Sequence, residues 1–221
     1  MNDIITHLDW SFLTDLLASA IPALVCIVIH EMSHGYAAYR LGDPTPKRDG
    51  RLSLNPIRHI DVFGLLMLMV LHFGWAKPVS VDTRYFRNPK RDMAITALAG
   101  PASNFILAAV VMFFYGFLYI KLNSSSVGGF VLDTMYTTAL FSVSLGLFNL
   151  IPIPPLNGSK VLFSILPERM YFGYMRYERY GMLLLLLLVM TSTFSRPLYS
   201  ATGTIMKLML GIARWSFGLT A

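Results

Sequence analysis

Charge is scarce in this chain. Only 14% of its 221 residues are Asp, Glu, Lys or Arg, against about 25% in a typical soluble domain. Two stretches have none at all, Met93 to Ile120 and Thr134 to Ser159. A helix crosses a bilayer with roughly 20 such residues, so a soluble domain is excluded in favour of a membrane protein. Hydrophobic residues make up 55% of the chain and the mean hydropathy is +0.56. Cysteine is nearly absent too. Cys26 stands alone, so no internal disulfide forms and the redox compartment is not indicated; its simplest role is that of a small buried hydrophobe. No basic residue precedes Arg40. The start of the chain therefore lacks the charged region of a cleaved signal peptide, and its first apolar stretch is expected to be retained. No internal repeat is visible.

The formal net charge is +6, and nine of the 18 Lys and Arg residues lie between Gly42 and Asp92. Basic residues concentrated in one loop region between apolar spans read as a topology signal rather than as a nucleic-acid surface. The expected partner of the basic charge is the lipid bilayer, with no nucleic acid. Lys and Arg number none before the first span, nine in 42–92, one in 121–133 and four in 152–180. The self-consistent orientation puts the N-terminus outside and segments 42–92 and 152–180 in the cytoplasm.

Along the chain, an apolar segment from Trp10 to Ile29 runs on through His30 to Leu41 and predicts one long helix with a polar far end. Gly42-Asp43-Pro44 stops it. Residues 43–61 are polar and basic, with Arg51 to Pro56 reading as a short extended piece. Val62 to Ala76 is apolar but only 15 residues long, which suits a re-entrant or interfacial segment. Met93 to Ile120 is a span, Asn123 to Gly129 a polar loop, and Thr134 to Ile151 a second span ended by Pro152, Pro154 and Pro155. Gly181 to Ser195 is a Leu-rich span, and Pro197 to Phe217 reads as a last helix, with Lys207 and Arg214 counting against that reading. The fold class is thus an all-α membrane protein. It is expected to be a polytopic bundle of about four to six transmembrane helices with a re-entrant or extended segment between the first two core helices. A single integral domain covers 1–221, its core 10–165 and additional C-terminal helices 180–218.

One constellation carries chemistry. His30 and His34 are spaced i, i+4 and so share a helix face about 40° wide. Two imidazoles so placed can ligate one zinc ion, and Glu31 between them can reach a metal-bound water as general base. His and Glu within a membrane helix are costly to desolvate and usually mark a functional site; the bland alternative is that they mark the interfacial end of the helix. The three prolines push the residues before them into extended conformations. Extended backbone at membrane depth must line a cavity or be buried in protein; the bland alternative for the first proline is a plain helix terminator. Asn104, mid-span, wants polar partners: either a site facing it or a helix–helix hydrogen bond beside small Gly100 and Ala102.

The chain resembles the site-2 proteases, polytopic zinc peptidases that cut substrates within the bilayer, and is closest to their compact prokaryotic branch. The resemblance runs from about Ile29 to Leu162. It is carried by His30-Glu31-Met32-Ser33-His34-Gly35, Leu41-Gly42-Asp43-Pro44-Thr45, Gly50-Arg51-Leu52-Ser53-Leu54-Asn55-Pro56, His59-Ile60-Asp61, Gly74-Trp75-Ala76-Lys77-Pro78-Val79, Ala99-Gly100-Pro101-Ala102-Ser103-Asn104 and Phe148-Asn149-Leu150-Ile151-Pro152-Ile153-Pro154-Pro155-Leu156. No PDZ-like insertion separates these strings. The resemblance implies three core helices, one Zn²⁺ per chain, transmembrane segments of other membrane proteins as substrates, and a place in a prokaryotic cell membrane with the active site towards the cytoplasm. It gives Asn104 and Asn149 to the substrate backbone or the developing oxyanion; Asn149 could equally bond to neighbouring backbone.

At one position the chain departs from the pattern. The resembling family has an Asp-Gly pair after the prolines, and that Asp is the third zinc ligand. Here the pair is Asn157-Gly158. An amide oxygen is neutral where a carboxylate is anionic, so Asn157 would hold the metal more weakly. His59, Asp61 and His72 are the other groups from which a ligand could come, with loop and capping roles as the alternative for His59 and Asp61. Two functions follow: a zinc metalloendopeptidase acting within the membrane, or a catalytically impaired relative that binds membrane segments without cutting them. A transporter or channel is disfavoured, because the intramembrane polar cluster has metalloprotease spacing and no inverted repeat is present.

Overall fold

The structure, a computed structural model, describes residues 10–61, 64, 76–167, 181, 184, 185, 187, 188 and 195–219, with the side chains of 10–17 left aside. Among them the architecture is helical. Helix α1 spans Trp10–Arg40, α2 is the single turn Thr45–Arg48, α3 spans Pro89–Leu122, α4 Ser126–Asn149, α5 Asn157–Ile165 and α6 Ser195–Gly218. Three are long and apolar enough to cross a bilayer: Ala18–Arg40 of α1, α3 and α4. Most of the expected Gly181 to Ser195 span, nearly all of Val62 to Ala76, and His72 lie outside the described residues.

The expected long first helix is present and runs through Pro22, which is fully buried. It stops where glycine allows it. Gly42 adopts φ +112°, a conformation that suits a residue without Cβ, and the Asp43 N–H turns back to the Ala38 carbonyl at 3.0 Å. Helix α3 is longer than the charge-free run Met93 to Ile120. Its 34 residues reach about 51 Å, beyond the ~30 Å hydrocarbon layer, so Lys90, Arg91 and Lys121 sit at its ends. The polar loop expected over Asn123 to Gly129 is shorter than its composition suggests. Ser125 caps α4 by accepting from the Gly128 N–H at 3.0 Å, and Ser126 to Gly129 are its first turn. At the other end α4 stops at Asn149, two residues before the expected Ile151.

Helix α3 is central and packs against α1, α4, α5 and α6; α4 also packs against α1 and α6. The apolar core joins Ala108 and Met112 of α3, Ala139 and Val143 of α4, and Met206 and Ala213 of α6. Small residues let these backbones close up. Gly146 lies against the Phe105 ring, and Gly116 against Ala213 and Ser216. On the outer side of α3, Ile106, Val110 and Phe114 are exposed, as expected of a face against lipid tails. Among the described residues between α1 and α3, helix is confined to three single turns and to Gly64. An isolated antiparallel bridge pairs Ile60 with Ala76, and the Lys77 N–H donates to the His59 carbonyl at 2.9 Å. These two contacts tie residues 59–60 to 76–77; the re-entrant or extended segment expected between them lies almost wholly outside the described residues.

A Cβ at Gly116 would strike the Ala213 backbone, its carbonyl carbon at 2.7 Å. Gly116→Val should therefore push α3 and α6 apart and destabilise the bundle by about 1–3 kcal/mol, lowering the melting temperature of the detergent-purified protein. Gly203→Ala and Gly211→Ala meet no neighbouring atom within 4 Å and should leave that temperature unchanged or raised.

Candidate metal centre

His30 and His34 occupy successive turns of α1, with ring centroids 4.6 Å apart and planes 86° to each other. They are 3% and 8% exposed. Each imidazole is held from α3. His34 Nδ1 donates to the Thr96 carbonyl at 2.7 Å; a carbonyl only accepts, so the proton sits on Nδ1 and Nε2 keeps its lone pair. His30 Nδ1 lies 3.2 Å from the Asn104 amide nitrogen. Asn104 Oδ1 is buried with no partner. Turning that amide end for end, a choice set by the hydrogen-bond network, gives Oδ1 the His30 Nδ1–H to accept and leaves the His30 Nε2 lone pair free. Both Nε2 atoms then present lone pairs to one point.

Asn157 reaches the same point. It is the first residue of α5, after the non-helical strip 151–156 that follows Asn149. Its amide nitrogen stands 3.1 Å from His30 Nε2, 3.0 Å from His34 Nε2 and 3.2 Å from Asn149 Oδ1. One nitrogen carries two hydrogens, so it cannot donate to all three acceptors at once. Asn149 also donates from Nδ2 to the Leu145 carbonyl at 3.0 Å. Gly100 supplies the room: a Cβ there would lie 2.7 Å from His30 Nε2 and 2.5 Å from His34 Cε1.

With the Asn157 amide turned end for end so that Oδ1 replaces Nδ2, two imidazole nitrogens and one amide oxygen would fit a metal ion that binds N and O donors. The two histidines fit zinc fully; the neutral amide makes the third corner weak. No third His, Cys, Asp or Glu joins His30 and His34 among the described residues. His59 and Asp61 border the cavity. His59 Nε2 donates to the Ser53 carbonyl at 2.8 Å while its buried Nδ1 has no partner among the described residues, and Asp61 Oδ1 accepts from the Gly64 N–H at 2.8 Å.

The cavity in front of the histidines measures about 620 Å³. Glu31 borders it, its Oε2 accepting from the Val79 N–H at 3.1 Å. The walls are mostly apolar, from Leu24, Ile27, Val28, Leu145 and Phe148. Three features of the site were not assigned from sequence. Thr96 acts through its backbone carbonyl, which any residue has. Val79 acts through its amide. Lys160 borders the cavity from α5, three residues after Asn157 and hence on the same face; that spacing could have pointed to it.

A membrane-embedded helical core with paired histidines and a flanking glutamate defines a metalloprotease class, and the comparisons with known proteins agree. Residues 118–192 match the description of Peptidase family M50. YwhC of Bacillus subtilis, named as a zinc metalloprotease, is 36% identical over 186 residues, covering 81% of this chain and 83% of that protein. Rip2 of Mycolicibacterium smegmatis, similarly named, is 27% identical over 78% of this chain and 66% of its own length. The zinc metalloprotease MJ0392 of Methanocaldococcus jannaschii is 27% identical over 69% of this chain and 34% of its own. No solved structure matches the chain. The chain belongs to peptidase family M50, the site-2 type of metalloprotease, and is an integral membrane protein.

Asn104 is buried at 0% exposure, so its contact with His30 can be tested without disturbing the surface. Asn104→Leu should weaken metal binding by about 10–100-fold, the usual effect of losing a partner that orients a ligand. Asn104→Asp, which keeps an acceptor for His30 Nδ1–H, should lose much less. Competition with a chromophoric chelator reads both.

Proposed function

We propose that the protein is an intramembrane zinc endopeptidase whose substrates are transmembrane segments of other membrane proteins. The observation that carries this reading is the convergence of His30 Nε2, His34 Nε2 and the Asn157 side chain beside Glu31 in an apolar cavity. In it His30, His34 and Asn157 hold Zn²⁺. When bound, the ion supplies a Lewis acid and a water of lowered pKa.

The chain's own groups do the rest. Glu31 faces the cavity and takes the proton of the attacking water, then returns it to the leaving amine. The Val79 N–H fixes the Glu31 carboxylate, as its 3.1 Å bond indicates. The His34–Thr96 bond sets one imidazole and Asn104 the other. A substrate must unwind before attack, because a helix shields its carbonyls. The cavity's apolar walls receive the unwound side chains, and Asn149 offers an amide near Asn157 for the substrate backbone. Sequence 62–76, between the bridging residues Ile60 and Ala76, suits a gate or an edge for the extended substrate. The basic segments 42–92 and 152–180 support a cytoplasmic active site in a prokaryotic cell membrane.

Asn157 favours a second reading, a catalytically impaired relative that holds membrane segments without cutting them. A neutral amide at the third corner retains zinc less well than a carboxylate. Two variants separate the readings when each is assayed for zinc content and for cleavage of a reconstituted membrane substrate. Glu31→Gln should lower turnover by about 10²–10⁴-fold while the zinc content stays that of wild type. Undiminished cleavage by that variant would sink the mechanism. Asn157→Asp, placing an anion against a dication, should tighten zinc by about tenfold or more and raise turnover. Activity appearing only in Asn157→Asp marks the natural chain as the impaired relative.

A further inference from the structure

Next to the metal-site cavity, in the segment between α1 and α3, lies a second cleft of about 500 Å³. Its lining is polar where the first is apolar, with Arg51, Arg58, Lys77, Ser80 and Asp49 among its residues. Three cations face one acid. Arg51 is only 6% exposed, and its Nη1 donates to the Arg58 carbonyl. Arg58 Nη1 in turn donates to the Gly50 carbonyl at 2.9 Å. Gly50 has φ +66°, and a Cβ on it would collide with the Arg58 guanidinium. These contacts fold residues 50–58 back on themselves and hold both guanidinium groups at the cleft.

Neither contact neutralises a charge. Among the described residues the one ion pair joins Arg84 to Asp82, so Arg51, Arg58 and Lys77 have no carboxylate at salt-bridge distance there. A nearly buried guanidinium with no carboxylate at salt-bridge distance is costly, and the charge of Glu31 reaches Arg51 only from further off. Its remaining N–H groups form a planar fork suited to phosphate oxygens. The segment leaves one membrane-crossing helix, Ala18–Arg40, and enters the next, Pro89–Leu122, and basic clusters just beyond a spanning helix bind anionic headgroups.

We propose that Arg51, Arg58 and Lys77 form a binding site for a phosphate group, with the Ser80 hydroxyl as a further donor. The phosphate comes either from an anionic phospholipid headgroup or from a soluble phosphate. The site lies outside the metal centre, yet Lys77 is two residues from Val79, whose N–H holds Glu31, and Ile60 borders both cavities.

The test uses the full chain in neutral detergent. Native mass spectrometry counts phosphatidylglycerol retained against phosphatidylcholine, and phosphorus NMR follows the binding of inorganic phosphate. Preferential retention of phosphatidylglycerol is expected, with Lys77→Gln and Arg58→Gln each weakening it about fivefold, the effect of one basic residue near an anionic headgroup. Asp49→Asn removes the opposing acid and should strengthen it. Lys77 and Asp49 make no side-chain hydrogen bond among the described residues, so these two variants decide the matter if Arg58→Gln fails to fold. Phosphatidylglycerol binding that inorganic phosphate does not displace identifies a lipid as the source. Inorganic phosphate binding with the same ranking of variants identifies a soluble one. Equal retention of the two lipids together with no phosphate binding overturns the site, as does binding that none of the three substitutions changes.

Discussion

Two imidazoles and one amide are buried among apolar helices, with the half-buried amides of Asn149 and Asn157 beside them; lipid offers no hydrogen bonds there, so polar groups must find partners within the protein. That constraint organises the bundle. On α1, Cys26, His30 and His34 stand four residues apart on one face. On α3, Thr96, Gly100 and Asn104 do the same, Gly100 supplying space rather than a polar group. His34 meets Thr96 and His30 meets Asn104, so rising numbers on one helix face falling numbers on the other and the two run antiparallel. Helix α4 closes the third side: the Ser142 hydroxyl donates to the Asn104 carbonyl at 2.9 Å, and the Cys26 thiol to the Thr138 carbonyl at 3.3 Å. Three stripes, each on a four-residue step, meet along one line, and the histidines lie on it.

The loop between α1 and α3 is tied to this line at two places. Asp43, fully buried, accepts from the Thr45 N–H at 2.9 Å and from the Asp82 N–H at 2.8 Å. One carboxylate thus joins the beginning of the loop to its end. Between these points the strip after Ala76 runs past α1 closely enough that Gly35 would bring a Cβ within 3.5 Å of Val79 and 3.3 Å of Pro46. The Val79 N–H then reaches Glu31. A carboxylate on a helix is free to rotate through several rotamers; one backbone donor from a clamped strip restricts it to the cavity side. The described ends of the loop therefore act on the site by position.

Much of this was legible in the sequence because periodicity and punctuation carry it. The i, i+4 histidines, the stop at Gly42 and the proline strip leading to residue 157 each rest on a local rule, and the family resemblance linked them. What stayed hidden depends on pairing between helices. The Thr96 carbonyl is chemically the same as any other, so nothing in the sequence marks it as the partner of His34. Gly100 reads as a packing residue, whereas its missing Cβ leaves space for two ring nitrogens. The start of α4 was obscured by composition: Ser124, Ser125, Gly128 and Gly129 look like a loop, but one cap hydrogen bond tips the last four residues before Phe130 into helix. Helix α6 carries Lys207 and Arg214 while burying Thr202, Met206, Ala213 and Ser216. The charged Lys207 and Arg214 lie on its exposed face, and this says nothing against the helix itself.

Residue 157 shows why position and chemistry separate. The backbone brings it to the histidines whatever side chain it carries: the strip leaves α4 at Asn149, α5 begins at 157, and Gly158 packs so tightly under the Leu150 carbonyl carbon, 2.5 Å from where a Cβ would be, that the approach has no slack. An amide fits there as well as a carboxylate, because the two are nearly the same shape. The difference lies in charge. On the proposed reading, the amide leaves one negative charge fewer around a dication, with Lys160 adding a positive charge to the same cavity. The site then holds its metal less firmly, while more of the metal's charge is left to act on bound water. Among the described residues bordering the cavity the acids are Glu31 and Asp61, and Asp61 Oδ1 accepts from the Gly64 N–H. On that reading, the neutral amide at the third corner would set how much metal the site keeps.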